Sequence, residues 1–101
     1  MFVRLARYEV PDDRLDEAVQ AFEQAARELE GIPGLTSGYV LLDTESGGIV
    51  TVTMWESRQA MDSSEVRAAR LRQQAVQAVQ GSVASVQCLE VAVELSATST
   101  V

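Results

Sequence analysis

The middle of the chain reads LTSGYVLLDTESGGIVTVTMWE over residues 35–56. Two runs rich in β-branched, aliphatic and aromatic residues, 35–43 and 49–56, predict two β-strands. Between them lies Thr-Glu-Ser-Gly-Gly at 44–48, a turn sequence whose glycines are free to adopt positive φ. Because a loop this short joins antiparallel strands, the whole stretch predicts a β-hairpin.

The segment before the hairpin predicts one strand and one helix. Residues 2–10 are rich in β-branched and aromatic side chains and predict the strand. Residues 13–30 carry apolar side chains at the i, i+3, i+4, i+7 spacing of an amphipathic helix, and we expect Asp12 or Asp13 to cap it. Glycine and proline at 31–34 end this helix.

The segment after the hairpin predicts two consecutive helices. A short helix is expected over residues 57–62, with Ser57 as its N-cap. A longer helix is expected to begin at Ser63 or Ser64 and to end near residue 79, because serine hydroxyls accept hydrogen bonds from the free N–H groups of a first turn. Arg72 belongs to the polar residues of this helix, which we expect to face mostly outward.

The last strand is predicted over residues 83–95. Its apolar alternation slips at 88–90, which predicts a β-bulge there. Cys88 is expected to be a small buried side chain within the strand, with a reactive thiol as the alternative. Residues 96–101 are expected to form a flexible tail, and residues 1–95 to form one domain.

The element order βαββαβ predicts an α+β domain with two helices on one face of a four-stranded antiparallel sheet. The chain then has no element left to cover the other face. That face is nevertheless apolar, since Val50, Val52 and Met54 point one way while Ile49 and Trp55 point the other. We therefore expect a homodimer in which two sheets pack face to face.

Net charge and hydropathy exclude several classes of partner. The formal net charge is −7 at pH 7, which opposes binding to nucleic acid phosphates and to anionic lipid. No apolar run reaches the roughly 18 residues of a transmembrane helix. Arginines interrupt the apolar N-terminal run, unlike a signal peptide, so a cytoplasmic location is expected.

The missing residue types narrow the chemistry. The chain has no Lys, His or Asn. This excludes a lysine Schiff base, a histidine base, a histidine ligand to metal or haem, and a Ser-His-Asp triad. The single cysteine permits neither an internal disulfide nor a cysteine metal cluster, so no metal is expected.

Several segments together resemble the antibiotic-biosynthesis-monooxygenase-like proteins of the dimeric α+β barrel group. They are PGL at 33–35, GYVLLD at 38–43, SGG at 46–48 and VTMWESRQAM at 52–61. The resemblance covers residues 2–95. It implies a ferredoxin-like protomer, a homodimer whose sheets form a barrel, and a ligand cavity between sheet and helices.

The resemblance also implies a choice of chemistries. Some members oxidise phenolic polyketide intermediates with dioxygen and without metal or flavin, using an Asn, a Trp and a Tyr or His. Others degrade haem and need a His ligand. This chain has no His, and Ala6 stands near the place where a catalytic Asn is expected. The resemblance therefore disfavours haem degradation and implies a reaction without a cofactor.

Three aromatic residues are candidates for the site. Trp55 is the candidate catalytic residue, whose indole N–H would orient a substrate oxygen; the alternative is a packing anchor. Tyr8 and Tyr39 would hydrogen-bond a phenolate, with cavity-wall or interface packing as the alternative.

Three polar strand residues complete the predicted substrate-binding set. Arg4 is either a cation in the cavity that holds an anionic substrate, or one half of an ion pair with Glu56 or Glu94. Thr51 and Thr53 share a strand face with Trp55 and are expected to line the same pocket, although threonines in strands need no functional reason.

The leading hypothesis is a small-molecule-binding homodimer that oxidises an aromatic polyketide-type substrate with dioxygen and no cofactor. Its ligand would be small and aromatic or hydrophobic. The alternative is a non-catalytic module that binds a metabolite or only dimerises. An RNA-recognition domain shares the element order but needs a basic face and a different aromatic pattern.

Overall fold

A computed structural model of the chain describes residues 1–97 and has the βαββαβ order that the sequence predicts. Its elements are β1 Phe2–Glu9, α1 Leu15–Arg27, β2 Leu35–Asp43, β3 Gly48–Trp55, α2 Arg58–Ala78 and β4 Ser82–Glu90. The strands form one antiparallel sheet in the order β2-β3-β1-β4. The predicted α+β ferredoxin-like fold is confirmed.

Side chains of the two central strands, β1 and β3, point alternately to the two faces of the sheet, and the helices cover one of these faces. Arg4 and Tyr8 of β1 are buried beneath the helices, whereas Arg7 points away and is exposed. On β3, Ile49 and Trp55 have no exposed surface at all. Burial that alternates with every second residue is typical of a strand packed on one face. The hydrophobic core therefore lies between the sheet and the helices.

The opposite face, here called the open face, is also largely apolar. Cross-strand partners share a face, so the pairing register assigns to it the residues Val3, Leu5, Tyr39, Leu41, Val50, Val52, Met54 and Leu89. Tyr39, Leu41 and Leu89 are exposed and the others are half-buried. No helix of residues 1–97 packs on this face. The predicted apolar character of both sheet faces is confirmed.

One continuous helix replaces the two helices predicted after the hairpin. Ser57 is its N-cap as expected, because its side chain accepts a hydrogen bond from the Ala60 N–H. The prediction of a second cap at Ser63 or Ser64 is wrong, since neither glycine nor proline interrupts the run. The Ser64 hydroxyl instead donates to the Met61 carbonyl at 2.7 Å within the helix. No helix of residues 1–97 is long and apolar enough to cross a membrane.

Helix α1 starts and ends inside its predicted bounds. Asp12 and Asp13 belong to a short 3₁₀ turn and make no capping hydrogen bond, so the predicted cap is wrong. After the helix, Gly34 has φ +92° and lies against the first turn of α2, where a side chain would collide with Ala60. Its carbonyl accepts a hydrogen bond from the Glu56 N–H, which fixes the start of β2 against the end of β3.

Strand β4 is shorter than predicted because its partner ends. Glu90 pairs with Phe2, the first residue of β1, and beyond it there is no strand left to pair with. The register shift lies opposite Arg7 and Tyr8, so the bulge predicted at 88–90 is wrong. Cys88 is exposed rather than buried, because β4 is an edge strand. Of the predicted tail, residues 98–101 lie outside the described residues.

Candidate functional site

A cleft of about 680 Å³ opens between α1 and the sheet, with β2 along one side. Apolar side chains from both layers form its walls: Val19, Phe22, Ala25, Ala26, Leu29, Leu35, Val40, Ala68 and Leu71. Its polar lining from β1, β3 and α2, here called the polar end, is Arg4, Tyr8, Thr51, Thr53 and Arg72. Further polar residues line it from α1, the turn after α1 and β2, namely Glu23, Arg27, Glu30, Thr36 and Ser37. The cleft thus combines apolar walls with polar groups that could orient a small molecule.

Arg4 is the most constrained charge of the polar end. Strand alternation points it toward the helices, where it is 5% exposed. Its Nη2 donates to the Met61 carbonyl at 2.7 Å and to the Ser64 hydroxyl at 3.2 Å. Its guanidinium carbon lies 5.6 Å from the centre of the Trp55 ring, within cation–π range. The strand, the helix and the indole together hold this side chain in one place.

The ion-pair partner of Arg4 is Glu65, not Glu56 or Glu94 as the sequence suggested. Arg4 Nε lies 2.9 Å from Glu65 Oε2. Glu56 and Glu94 are both exposed, one at the end of β3 and the other beyond β4. Glu65 lies beside the buried side of α2, since Met61 and Ala68, one turn before and after it, are both buried.

Arg72 is the site residue that sequence reasoning missed. Its Nη2 donates to Glu65 Oε1 at 2.8 Å, and its side chain is only 10% exposed. Glu65 therefore bridges Arg4 and Arg72 with one oxygen each. The signal was the seven-residue spacing of Glu65 and Arg72, which puts both on one side of a single helix. The sequence prediction had both residues in one helix but assigned Arg72 to its outward side.

Tyr8 supplies the hydroxyl of the polar end. Its oxygen lies 3.1 Å from the Thr51 hydroxyl, and its ring centre lies 4.4 Å from that of Phe22. Burial raises the pKa of Tyr8, while the hydrogen bond with Thr51 and the charges of Arg72 and Arg4 act against that rise. The hydroxyl therefore stays protonated at neutral pH and is available as a hydrogen-bond donor.

Trp55 takes the packing position that was its alternative, and Tyr39 lies in the part of β2 that lines the cleft but turns its side chain to the open face. Trp55 has no exposed surface and is not part of the cleft lining. Its indole N–H donates to the Thr53 hydroxyl at 3.0 Å, so it supports a lining residue from behind. Tyr39 pairs with Val52, which turns its side chain toward the open face, where it is 59% exposed. Its strand borders the cleft along residues 35–40.

The chemistry available in the cleft is the recognition of an anion. Two guanidiniums and one carboxylate leave one positive charge beside the Tyr8 and Thr51 hydroxyls. Arg4 Nη1 is buried and has no hydrogen-bond partner in residues 1–97, a donor left over at the polar end. No cluster of metal-ligating side chains occurs in the described part of the chain.

The sequence profile of the antibiotic biosynthesis monooxygenase family matches residues 1–76. The chain belongs to this family, as the sequence resemblance suggested. No curated protein matches the sequence significantly.

Solved structures share the fold at low identity. A proposed antibiotic biosynthesis monooxygenase from Deinococcus radiodurans matches with a TM-score of 0.80 and 12% identity, covering 98% of this chain and 100% of the other. SnoaB, a cofactor-independent oxygenase from Streptomyces nogalater, matches with a TM-score of 0.75 and 14% identity, covering 93% and 95%. Rv0793 from Mycobacterium tuberculosis matches with a TM-score of 0.70 and 18% identity, covering 95% and 100%. At these identities the likeness establishes the fold alone.

Proposed function

We propose that the cleft binds a small aromatic molecule as its phenolate or enolate and that this anion is oxidised by dioxygen without a cofactor. The observation that carries the proposal is the pair of arginines, Arg4 and Arg72, at the polar end of an otherwise apolar cleft. The cleft volume of about 680 Å³ lies within the range of small-molecule sites. The family and the SnoaB-like fold support the reaction class.

In this mechanism the protein stabilises an anion and keeps it dry. Arginine remains protonated at neutral pH and cannot act as a base, so the proton of the substrate leaves to water. The charges of Arg4 and Arg72 and a hydrogen bond from Tyr8 stabilise the resulting oxyanion. The apolar walls, with Phe22 and Leu71, align the ring and exclude water from the reacting carbon.

Oxidation of an activated CH₂ group then balances without a further reductant. The carbanion carbon forms a bond to one atom of dioxygen and, with a proton, gives a hydroperoxide. Loss of water from the hydroperoxide leaves a ketone. One oxygen atom enters the product, the other leaves as water, and the substrate supplies all four electrons.

The proposed active form is a homodimer in the cytoplasm. Open sheet faces of two copies would pack on each other about 10 Å apart, as stacked sheets do. Apolar residues such as Leu5, Val52 and Met54 support this arrangement because one chain leaves them partly exposed.

Oxygen uptake tests the proposal, with anthrone and 1-naphthol as probes. We expect the wild type to consume one dioxygen per anthrone converted to anthraquinone. Arg72→Gln should lower kcat/KM about tenfold or more, since a hydrogen bond to a charged group is worth that much. Arg58→Gln is the matched control, because Arg58 is exposed and pairs only with Asp62 on the helix surface of the described chain. Equal rates for the two variants would contradict the mechanism.

A second candidate function is metabolite binding without turnover. It is favoured by the absence of His and Asn and by the pairing of the rim glutamates, Glu23 and Glu30, with Arg27, which leaves no evident base in the cleft. Quenching of Trp55 fluorescence would detect binding, since Trp55 is the one tryptophan and lies against Arg4. Saturable quenching by anthrone or 1-naphthol with no oxygen uptake would select this function.

A further inference from the structure

Glu65 pairs with both arginines of the polar end. Its two carboxylate oxygens lie 2.9 Å from Arg4 Nε and 2.8 Å from Arg72 Nη2. In the described chain it is the only carboxylate in an ion pair with either arginine. Its side chain is 43% exposed, while those of Arg4 and Arg72 are 5% and 10% exposed. Glu65 thus lies behind two cleft-lining cations without lining the cleft itself.

We infer that Glu65 sets the charge of the ligand that the cleft accepts, which is a single negative charge beside an aromatic ring. At the polar end two guanidiniums and one carboxylate leave a net charge of +1, while the other charged lining residues, Glu23, Arg27 and Glu30, pair with each other on exposed positions of α1 and the turn after it. A monoanion neutralises this charge, a neutral analogue leaves it unpaired, and a dianion brings one negative charge too many. The inference rests on the proposed function and specifies its substrate class.

Two further observations link this carboxylate to the polar end. Burial and the charge of Glu65 raise the pKa of the Tyr8 hydroxyl, while the charges of Arg72 and Arg4 act against that rise, so all three charged groups lie close enough to influence it. Arg4 Nη1 is buried without a hydrogen-bond partner in residues 1–97, although Glu65, Ser64 and Met61 occupy other faces of the same guanidinium. Glu65 therefore orients and partly neutralises the arginines, while Arg4 Nη1 keeps a hydrogen-bonding capacity that the described residues do not fill.

A charge series of matched ligands tests this inference by Trp55 fluorescence and calorimetry at neutral pH. The probes are 2-naphthamide, 2-naphthoate and naphthalene-2,3-dicarboxylate. We expect the wild type to bind 2-naphthoate best. Glu65→Gln should raise the affinity for the dicarboxylate relative to 2-naphthoate about tenfold, because a unit charge a few ångströms away remains worth at least that factor after screening.

Asp62→Asn is the matched control, since it makes the same change of charge on the exposed side of α2, where Asp62 pairs with Arg58. Its ligand preferences should equal those of the wild type. Arg72→Gln is an independent second variant and should act in the opposite sense, lowering the preference for 2-naphthoate over 2-naphthamide about tenfold. Near-ultraviolet circular dichroism establishes that each variant is folded.

The inference is overturned if Glu65→Gln and Asp62→Asn give the same affinity ratios, or if none of the three probes binds the wild type saturably. If Glu65→Gln does not fold, an unchanged preference in Arg72→Gln overturns it equally. Its failure differs from failure of the proposed function. Charge selection without oxygen uptake would leave this inference standing, whereas oxygen uptake without charge selection would remove only this inference.

Discussion

The two faces of the sheet are made from alternate residues of the same strands, yet only one of them is completed by this chain. On the helix side, Ile49 and Trp55 are fully buried and Arg4 has protein partners on several sides. On the open side, Val52 and Met54 remain partly exposed. The proposed function accordingly assigns the chemistry to the helix side and association to the open side.

Removal of Phe22 should have the largest effect on stability. Phe22 is 3% exposed and packs on Tyr8. Phe22→Ala is expected to lower the free energy of unfolding by about 3–5 kcal/mol through the cavity it leaves. Val66→Ala, at an exposed position of α2, should change it by less than about 0.5 kcal/mol. Equal denaturant midpoints for the two variants would show that the helix side is not the packed face.

A charge on the open face should break association while leaving the protomer folded. Val52→Asp is expected to raise the dimer dissociation constant about 100-fold, equivalent to roughly 2.7 kcal/mol, because it would bury a carboxylate between two sheets. Val66→Asp on the helix surface is the control. Sedimentation at micromolar concentration measures both. A folded wild-type monomer under these conditions would contradict the assignment of the open face.

The Tyr8 hydroxyl should contribute a smaller stabilisation. Tyr8→Phe removes its hydrogen bond with Thr51 and should cost about 1 kcal/mol. Burial raises the pKa of Tyr8, so the folded state favours the neutral phenol. The wild type should therefore lose stability as the pH rises above about 10, the ordinary tyrosine value. The Tyr8→Phe variant should lose less stability over that range. An identical pH dependence in the two proteins would mean that the Tyr8 hydroxyl is exposed to solvent in the folded state.

The smallest effect is expected at the hairpin turn, far from both faces. Hydrogen bonds from the Ser46 hydroxyl, the Ser46 N–H and the Glu45 N–H lower the pKa of Asp43. Its contribution is present above the ordinary aspartate pKa of about 4 and is lost as the pH falls below it. Asp43→Asn should flatten this acid dependence slightly in thermal unfolding. A steeper dependence in the variant would contradict the assignment.

Sequence alone predicted the sheet well because its signals are local. The alternation at Val50, Val52 and Met54 identified both the strand and its open face. The polar end was predicted only in part, since it depends on where one helix crosses the sheet. Arg4 was recognised as an unusual charge, but its contact with Glu65, and through Glu65 with Arg72, depends on how α2 packs on β1.

Trp55 and Cys88 show a related limit. Residue type left Trp55 open between a site residue and a packing anchor, and it predicted burial for Cys88. The position of each depends on what packs against it, and that is a tertiary property. Trp55 is buried with the Arg4 guanidinium packed over its ring, and Cys88 is exposed because β4 is an edge strand.

Heteronuclear NMR during titration with 2-naphthoate tests most directly whether the ligand binds on the helix side. The side-chain Nε–H signals of Arg4 and Arg72, together with the backbone signals of Tyr8 and Phe22, should shift saturably with one common dissociation constant. The signal of Val52 should not move with them. Shifts confined to Val52 and its neighbours on the open face, with both arginine signals unmoved, would contradict the account.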